Sequence, residues 1–320
     1  MTRTFAAVVA LACAGGALAQ GTFPSRPVTM VVGFAPGGGT DITARIIVKK
    51  LSEYIGQSIV VENRPGAGGS IAATQVAKAA PDGYTIHLAN VGALSVAPHL
   101  NSSLPYNPQR DFAPISMCVV LDNVLVVHPS VRAKTLAEYV KEANERPGGM
   151  PYGSSGIGGA GHLAGELLKL MAKANLVHVP YKGGGPAAIA VVSGEVAAMF
   201  GGGSVVPLIK SGKLRALAAS GRQRYASLPE LPTIGEIFPG YEVTIWQALF
   251  APAGTPPAIV DRLRSEVNAV LARPDVAEKL IASGSGEPSI IPLADFSAMI
   301  RNDYEKYGKV IREIGLKVDD

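Results

Sequence analysis

The chain has 320 residues, 48% of them hydrophobic and 17% charged, enough apolar material for a substantial core in one large or two ordinary domains. Its net charge of +4 contains no Lys/Arg run and no basic–aromatic stripe, which argues against a nucleic-acid partner. Gly and Pro are frequent (37 and 24) but fall between periodic segments, so they read as tight turns rather than a repeat or a disordered tract.

Residues 1–19 read as a secretory signal peptide. Arg3 supplies the positive start, Phe5–Cys13 the apolar run and Ala17-Leu18-Ala19 the small-x-small cleavage signal. Cleavage would leave Gln20 first and Cys118 as the remaining cysteine, so no intrachain disulfide or cysteine metal site is expected. Leu11-Ala12-Cys13 also suggests a lipoprotein signal, although Ala10 is a poor residue three positions before that cysteine. No later stretch is long and apolar enough to span a bilayer, so an exported, soluble protein is expected.

After the leader, strand and helix alternate. Val28–Phe34 is a buried-type strand. A helix capped by Thr40 or Asp41 follows, with Ile47, Leu51, Tyr54 and Ile55 on one face, and Gly56 ends it. A strand at 58–61, a helix from Ser70 to Lys78 and a strand at 84–88 complete βαβαβ. A second series begins near Leu121. It has a strand at 124–128, a helix opened by the Thr135-x-x-Glu138 capping box, and strands near 151–155, 176–180, 196–200 and 214–219. Helices fall near 160–173, 185–193 and 205–211. Cys118, in the run ISMCVVL, reads as core. A strand near 245–251 and helices at 257–272, 275–283 and 293–314 follow. The pattern predicts an α/β fold of two lobes with a ligand cleft at the carboxyl ends of the strands. The expected division is 20–122 with 250–320 for lobe one and 123–249 for lobe two.

Glycine loops sit at those strand ends. In FAPGGGTD (34–41), Phe34, Gly37, Gly38, Gly39 and Thr40 place bare backbone N–H groups at a helix start, which favours an anion; Asp41 reads as the helix cap beside it. In GSSGIGGAGH (153–162), Ser154, Ser155, Gly156 and His162 are the candidates. Gly156-x-Gly158-x-x-Gly161 matches a dinucleotide fingerprint literally, but the acid required about 20 residues on is missing, so no cofactor is expected. PYKGGGPA adds Tyr181 and Lys182, MFGGGSV adds Gly202 and Ser204, and Asn90 follows the third strand. His87, His99, His128, His162 and His178 are scattered without metal spacing. G-x-S-x-G fails at position 157, which is Ile, and leaves Ser155 with His162 as the pair a hydrolase would use.

Read in order, FPSRPVTMVVGFAPGGGTDITAR, VVENRPGAGGSIAA, KAAPDGYTIHL, GSSGIGGAGHLAGELLK, VPYKGGGPA and LFAPAGTPP resemble the substrate-binding proteins of tripartite tricarboxylate transporters, the Bug family. The resemblance runs from about residue 23 to the C-terminus. It implies a periplasmic, monomeric, type II two-lobed binding protein without catalysis. It further implies that the protein closes on a small carboxylate through the loops 34–41 and 154–162 and delivers it to membrane permease subunits. Family members often carry an acid after the strand that reads AAMF here. Gly201-Gly202-Gly203-Ser204 replaces it, which points to a mono- or dicarboxylate without an amino group, aromatic acids included, walled by Phe34, Ile157 and Phe200. The rival readings are a ligand sensor without a dedicated permease and an exported α/β hydrolase.

Overall fold

A computed structural model describes residues 23–225, 228–313, 315 and 316; the expected leader, Cys13 and Gln20 lie outside these residues. The fold is mixed α/β with two sheets. The first half-sheet is built by β1 (Val28–Val32), α1 (Gly39–Ile55), β2 (Ile59–Asn63), α2 (Ser70–Ala77) and β3 (Thr85–Asn90). Its three strands are parallel, with β1 between β2 and β3. After β3 the chain makes a wide helical turn at Gly92–Val96 and a short helix, α3 (Ala97–Leu100), before the eleven-residue β4 (Phe112–Asp122).

At Asn123 the chain passes into the second sheet through β5 (Val124–Val127). There follow α4 (Leu136–Glu145), β6 (Met150–Ser154), α5 (Ala160–Ala172), β7 (Leu176–Pro180), α6 (Gly184–Val192), β8 (Ala198–Gly201), α7 (Val206–Lys210) and β9 (Arg215–Ala219). The strand order is β7-β6-β8-β5-β9, with β5 antiparallel to both of its neighbours. The chain then returns as β10 (Thr244–Pro252), followed by α8 (Pro257–Leu271), α9 (Pro274–Ala282), β11 (Glu287–Pro288) and α10 (Leu293–Glu313). The first sheet thus reads β11-β4-β10-β3-β1-β2. Because β10 pairs with β4 from Thr244 onward, the chain is back in the first sheet before residue 250, the expected point of return.

The two sheets repeat one plan. In each, a parallel trio adjoins an antiparallel strand that has arrived from the other lobe. In each, the first strand of the trio lies between the other two, so successive helices cover opposite faces and leave a crevice at the strand ends. The core follows the periodicity of the sequence: Ile47, Leu51 and Ile55 of α1 are buried, and Gly56 takes the left-handed φ of 75° that ends the helix. The strand β4, whose sequence gives no alternation, is buried on both faces, with Cys118 fully enclosed; helices α8 and α10 pack on it. Burial pushes the Cys118 thiol up to about 12, so it is inert in the folded chain.

Candidate functional site

The lobes meet over a cavity of about 50 Å³, room for a few water molecules. One wall is a face of the first sheet. Gln247 on β10 lies opposite Asn90 on β3, and Ile245 lies opposite Leu121 on β4. Cross-strand partners and residues two apart share a face, so these four side chains, continued by Asn123, form one surface lining the cavity. Asn90 is held in place by the Ala93 N–H, which donates to its Oδ1 at 3.2 Å.

The remaining walls are helix starts. Gly39 and Thr40 open α1, Ala160 and Gly161 open α5, and Gly184 opens α6, and all line the cavity. The first N–H groups of a helix have no intrahelical acceptor and carry the positive end of its dipole. Three such ends therefore converge on one small volume. Gly202, Gly203 and Ser204 complete that side, with Phe34 and Phe200 as apolar walls and Ser155 as a hydroxyl. No lining residue is ionisable. The site can hold a negative charge by oriented dipoles and hydrogen bonds, and it offers an ammonium group no counter-charge.

The other expected residues build the loops rather than the lining. Asp41 is not the helix cap: Gly38 occupies that position and α1 begins at Gly39. From inside the first turn, the Asp41 carboxylate accepts from the Gly37 N–H at 2.9 Å, from Asn63 Nδ2 at 2.9 Å and from Arg45 Nε at 3.0 Å. Burial by itself would raise this carboxyl. The bonds from Arg45, Gly37 and Asn63, with the Arg45 charge, outweigh it and hold Asp41 below the usual carboxylate value. Asp41 thus fixes the turn at Gly37 and Gly38 while its charge is balanced. Ser154 is fully buried, with its Oγ 2.6 Å from His178 Nε2, and accepts from the Gly156 N–H at 3.1 Å. His162 Nδ1 accepts from the Gly158 N–H at 3.3 Å, and its ring stacks on His178 with centroids 4.1 Å apart. Burial lowers both imidazoles, His178 to about 3, so neither contributes positive charge near neutral pH.

Ser155 and His162, the pair the rival hydrolase reading would use, share no hydrogen bond among the described residues; the imidazole Nδ1 is engaged with the loop backbone. Tyr181 turns away and donates to Glu195 Oε1 at 2.7 Å, Lys182 is exposed, and Ile157 is 39% exposed outside the cavity. Leu121, Asn123, Ile245 and Gln247 were not anticipated. The one local signal was the polar Asp122-Asn123 pair interrupting the apolar run VVLDNVLVV. Among the described residues, no group of three or more His, Cys, Asp or Glu side chains is placed to hold a metal ion.

A family model described as "Tripartite tricarboxylate transporter family receptor" matches residues 43–316. The chain belongs to this receptor family. BugT of Bordetella pertussis is 36% identical to this receptor over 99% of both chains. Among solved structures, the Rhodopseudomonas palustris protein Rpa4515 with adipate is 35% identical, with a TM-score of 0.88 over 92% of this chain and 100% of its own. MatC of the same organism, with bound malate, is 32% identical, with a TM-score of 0.84 over 90% of this chain and 100% of its own. The receptor has the two-lobed α/β architecture of periplasmic binding proteins expected from its sequence. Among its described residues no helix is long and apolar enough to cross a membrane.

Proposed function

We propose that the protein is a periplasmic receptor, exported by its N-terminal leader. It captures a small mono- or dicarboxylate without an amino group and presents it to the membrane permease of a tripartite transporter. The observation that carries this reading is the convergence of three helix N-termini on a cavity lined by no ionisable side chain. The adipate and malate bound by its relatives are the same class of ligand. The reading involves no covalent chemistry: Thr40, Ser155 and Ser204 bring hydroxyls to the cavity, and no general base accompanies them there. The moving bodies are proposed as lobe one, from residue 20 to 122 with the C-terminal segment from β10 onward, and lobe two between them. The receptor is proposed to act as a monomer.

The test is a thermal-shift screen of a chain starting at Gln20 against carboxylates, amino acids and sugars. A ligand that binds only the folded state raises Tm by mass action. Shifts confined to carboxylates support the reading. Shifts given only by amino acids or only by sugars overturn it.

A further inference from the structure

A groove of about 330 Å³ runs between α1 and α9 and shares no lining residue with the ligand cavity. Ile42 and Ile46, one helical turn apart on α1, and Val276 of α9 give it apolar surface. Around them stand four cations, Arg45, Lys49, Lys50 and Lys279, against two carboxylates, Glu53 and Asp275. Arg45 is paired with Asp41, Lys50 with Glu53 and Asp275 with Arg273. Lys49 and Lys279, both exposed, have no salt-bridge partner among the described residues. The groove is therefore positive, with apolar surface between its charges. Its rim stands in solvent: the Arg45 and Glu53 side chains are 55% and 56% exposed. Small-molecule sites enclose most of their ligand, so an open trough of this kind suits a polypeptide segment instead.

Both walls of the groove end where the lobes meet. The helix α1 starts at Gly39, and a Cβ on Gly38 would lie 3.6 and 3.7 Å from the backbone nitrogens of Gly185 and Gly184 in the other lobe. The helix α9 runs back towards that seam. Arg273, at its start, donates to the hydroxyl of Tyr54 near the end of α1 at 3.4 Å. Gly284, just past its end, lies against Gly203 and accepts from the Tyr225 hydroxyl at 2.9 Å. Arg45 belongs both to the groove and to the Asp41 network that sets the Gly37 turn. We propose that this groove is the docking site for an acidic segment of the membrane permease, which lays apolar residues on Ile42, Ile46 and Val276 and sets Asp or Glu against Lys49 and Lys279. This rests on the receptor reading above. Complementary charge steers such a segment in and disfavours basic ones. Membrane proteins concentrate Lys and Arg in their cytoplasmic loops, so the face that meets a periplasmic receptor is the one poor in cations. A permease must also distinguish loaded from empty receptor, and two helices that end at the lobe seam are elements on which closure bears.

Site-specific photocrosslinking of the full chain in the source bacterium tests this. The crosslinker is placed by Glu53→p-benzoylphenylalanine and, as a control, by Lys141→p-benzoylphenylalanine on α4 of the other lobe. The Glu53 position should crosslink to a polytopic membrane protein, and the crosslinked peptide, identified by mass spectrometry, should carry Asp or Glu beside apolar residues. The yield should fall at least about tenfold when Lys49→Glu and Lys279→Glu are added. That double variant should keep both its Tm and the Tm shift given by carboxylates, since neither lysine lines the cavity. Should circular dichroism show it misfolded, Lys49→Gln alone serves. No crosslink from the groove, an equal crosslink from α4, or a yield indifferent to the charge reversal overturns the inference. A crosslink to a second copy of this chain also overturns it, as does sedimentation with phosphatidylglycerol vesicles that the double variant loses; these would assign the groove to self-association or to the lipid surface. All of these outcomes leave the receptor reading standing while carboxylates still shift the Tm. Absence of any carboxylate shift defeats that reading itself, and the inference with it.

Discussion

At the scale of the residue, Asp41 shows how a charged side chain serves an anion site without touching it. Its carboxylate is spent on Gly37, Asn63 and Arg45, and the turn those bonds define presents the α1 backbone to the cavity. Asp41→Ala leaves Arg45 and the Gly37 N–H without their partner and should lower the unfolding free energy by about 3 kcal/mol, read by urea denaturation. The folded carboxyl titrates below the ordinary aspartate value, so its contribution is complete above that ordinary value. It is lost as pH falls through the lower folded value, and Asp41→Asn should remove this component of the acid sensitivity. Gly202 bears on ligand choice. A Cβ there would make ordinary contacts with Leu121 and Ile245, at 3.5 and 3.7 Å, so the position tolerates a side chain aimed into the cavity. Gly202→Asp should weaken binding of simple carboxylates more than about tenfold by like-charge repulsion, while the free protein keeps its Tm within a few degrees. Unchanged affinity in a titration would place the carboxylate elsewhere.

At the scale of the element, the glycine loops have two tasks. One is the exposure of helix-start N–H groups; the other is contact between lobes. The Ala35 N–H donates to the Lys182 carbonyl across the cleft at 3.1 Å. A Cβ on Gly92 would lie 3.1 Å from both the Gly158 carbonyl oxygen and Gly159 Cα, and Gly203 has no room for one against the Gly284 carbonyl. Gly92 has no left-handed φ to protect, so Gly92→Ala adds no backbone strain; its Cβ crowds the facing lobe and, at 3.2 Å, Asn90 Oδ1 of its own lobe. It should leave the stability of the free protein within about 1 kcal/mol, since Ala suits a helical turn. Ligand affinity should fall several-fold because the closed state is penalised. Calorimetry on ligand-free and ligand-loaded protein separates the two effects.

At the scale of the whole molecule, the lobes meet over a cavity of about 50 Å³, too small to hold an organic acid. Under the proposed function, capture of such a ligand requires the lobes to part. Under that function the joints would be the crossings at Asn123 and ahead of Thr244, beside two lining side chains. Solution scattering should give a larger radius of gyration for the ligand-free protein than for the protein saturated with a binding carboxylate. Identical radii would exclude closure as the mode of capture. A ligand that gains contacts with both lobes only when they close shifts the population by that difference in affinity.

The sequence by itself determined the alternation of strands and helices outside residues 91–122 and β11, the Gly56 and Thr135 caps and the glycine loops, because hydrophobic period, turn chemistry and helix-start signals are local. Val28–Val32, Gly39–Ile55, Ala160–Ala172 and the C-terminal helices fall within a few residues of where their periodicity puts them. The loop residues Phe34, Gly39, Thr40, Asn90, Ser155, Gly202 and Ser204 meet at the cavity. What local signals cannot carry is which distant strands become neighbours. Asn90 and Gln247 are 157 positions apart in the chain and opposite each other in the sheet. Asp41 reads as a cap until Asn63, from the next strand, is seen bonded to it. The far wall of Leu121, Asn123, Ile245 and Gln247 exists because the chain crosses between lobes twice and lays β10 beside β3 and β4. Only the tertiary structure decided that wall, since strand pairing is set by the burial of whole faces rather than by the residues that end up lining the site.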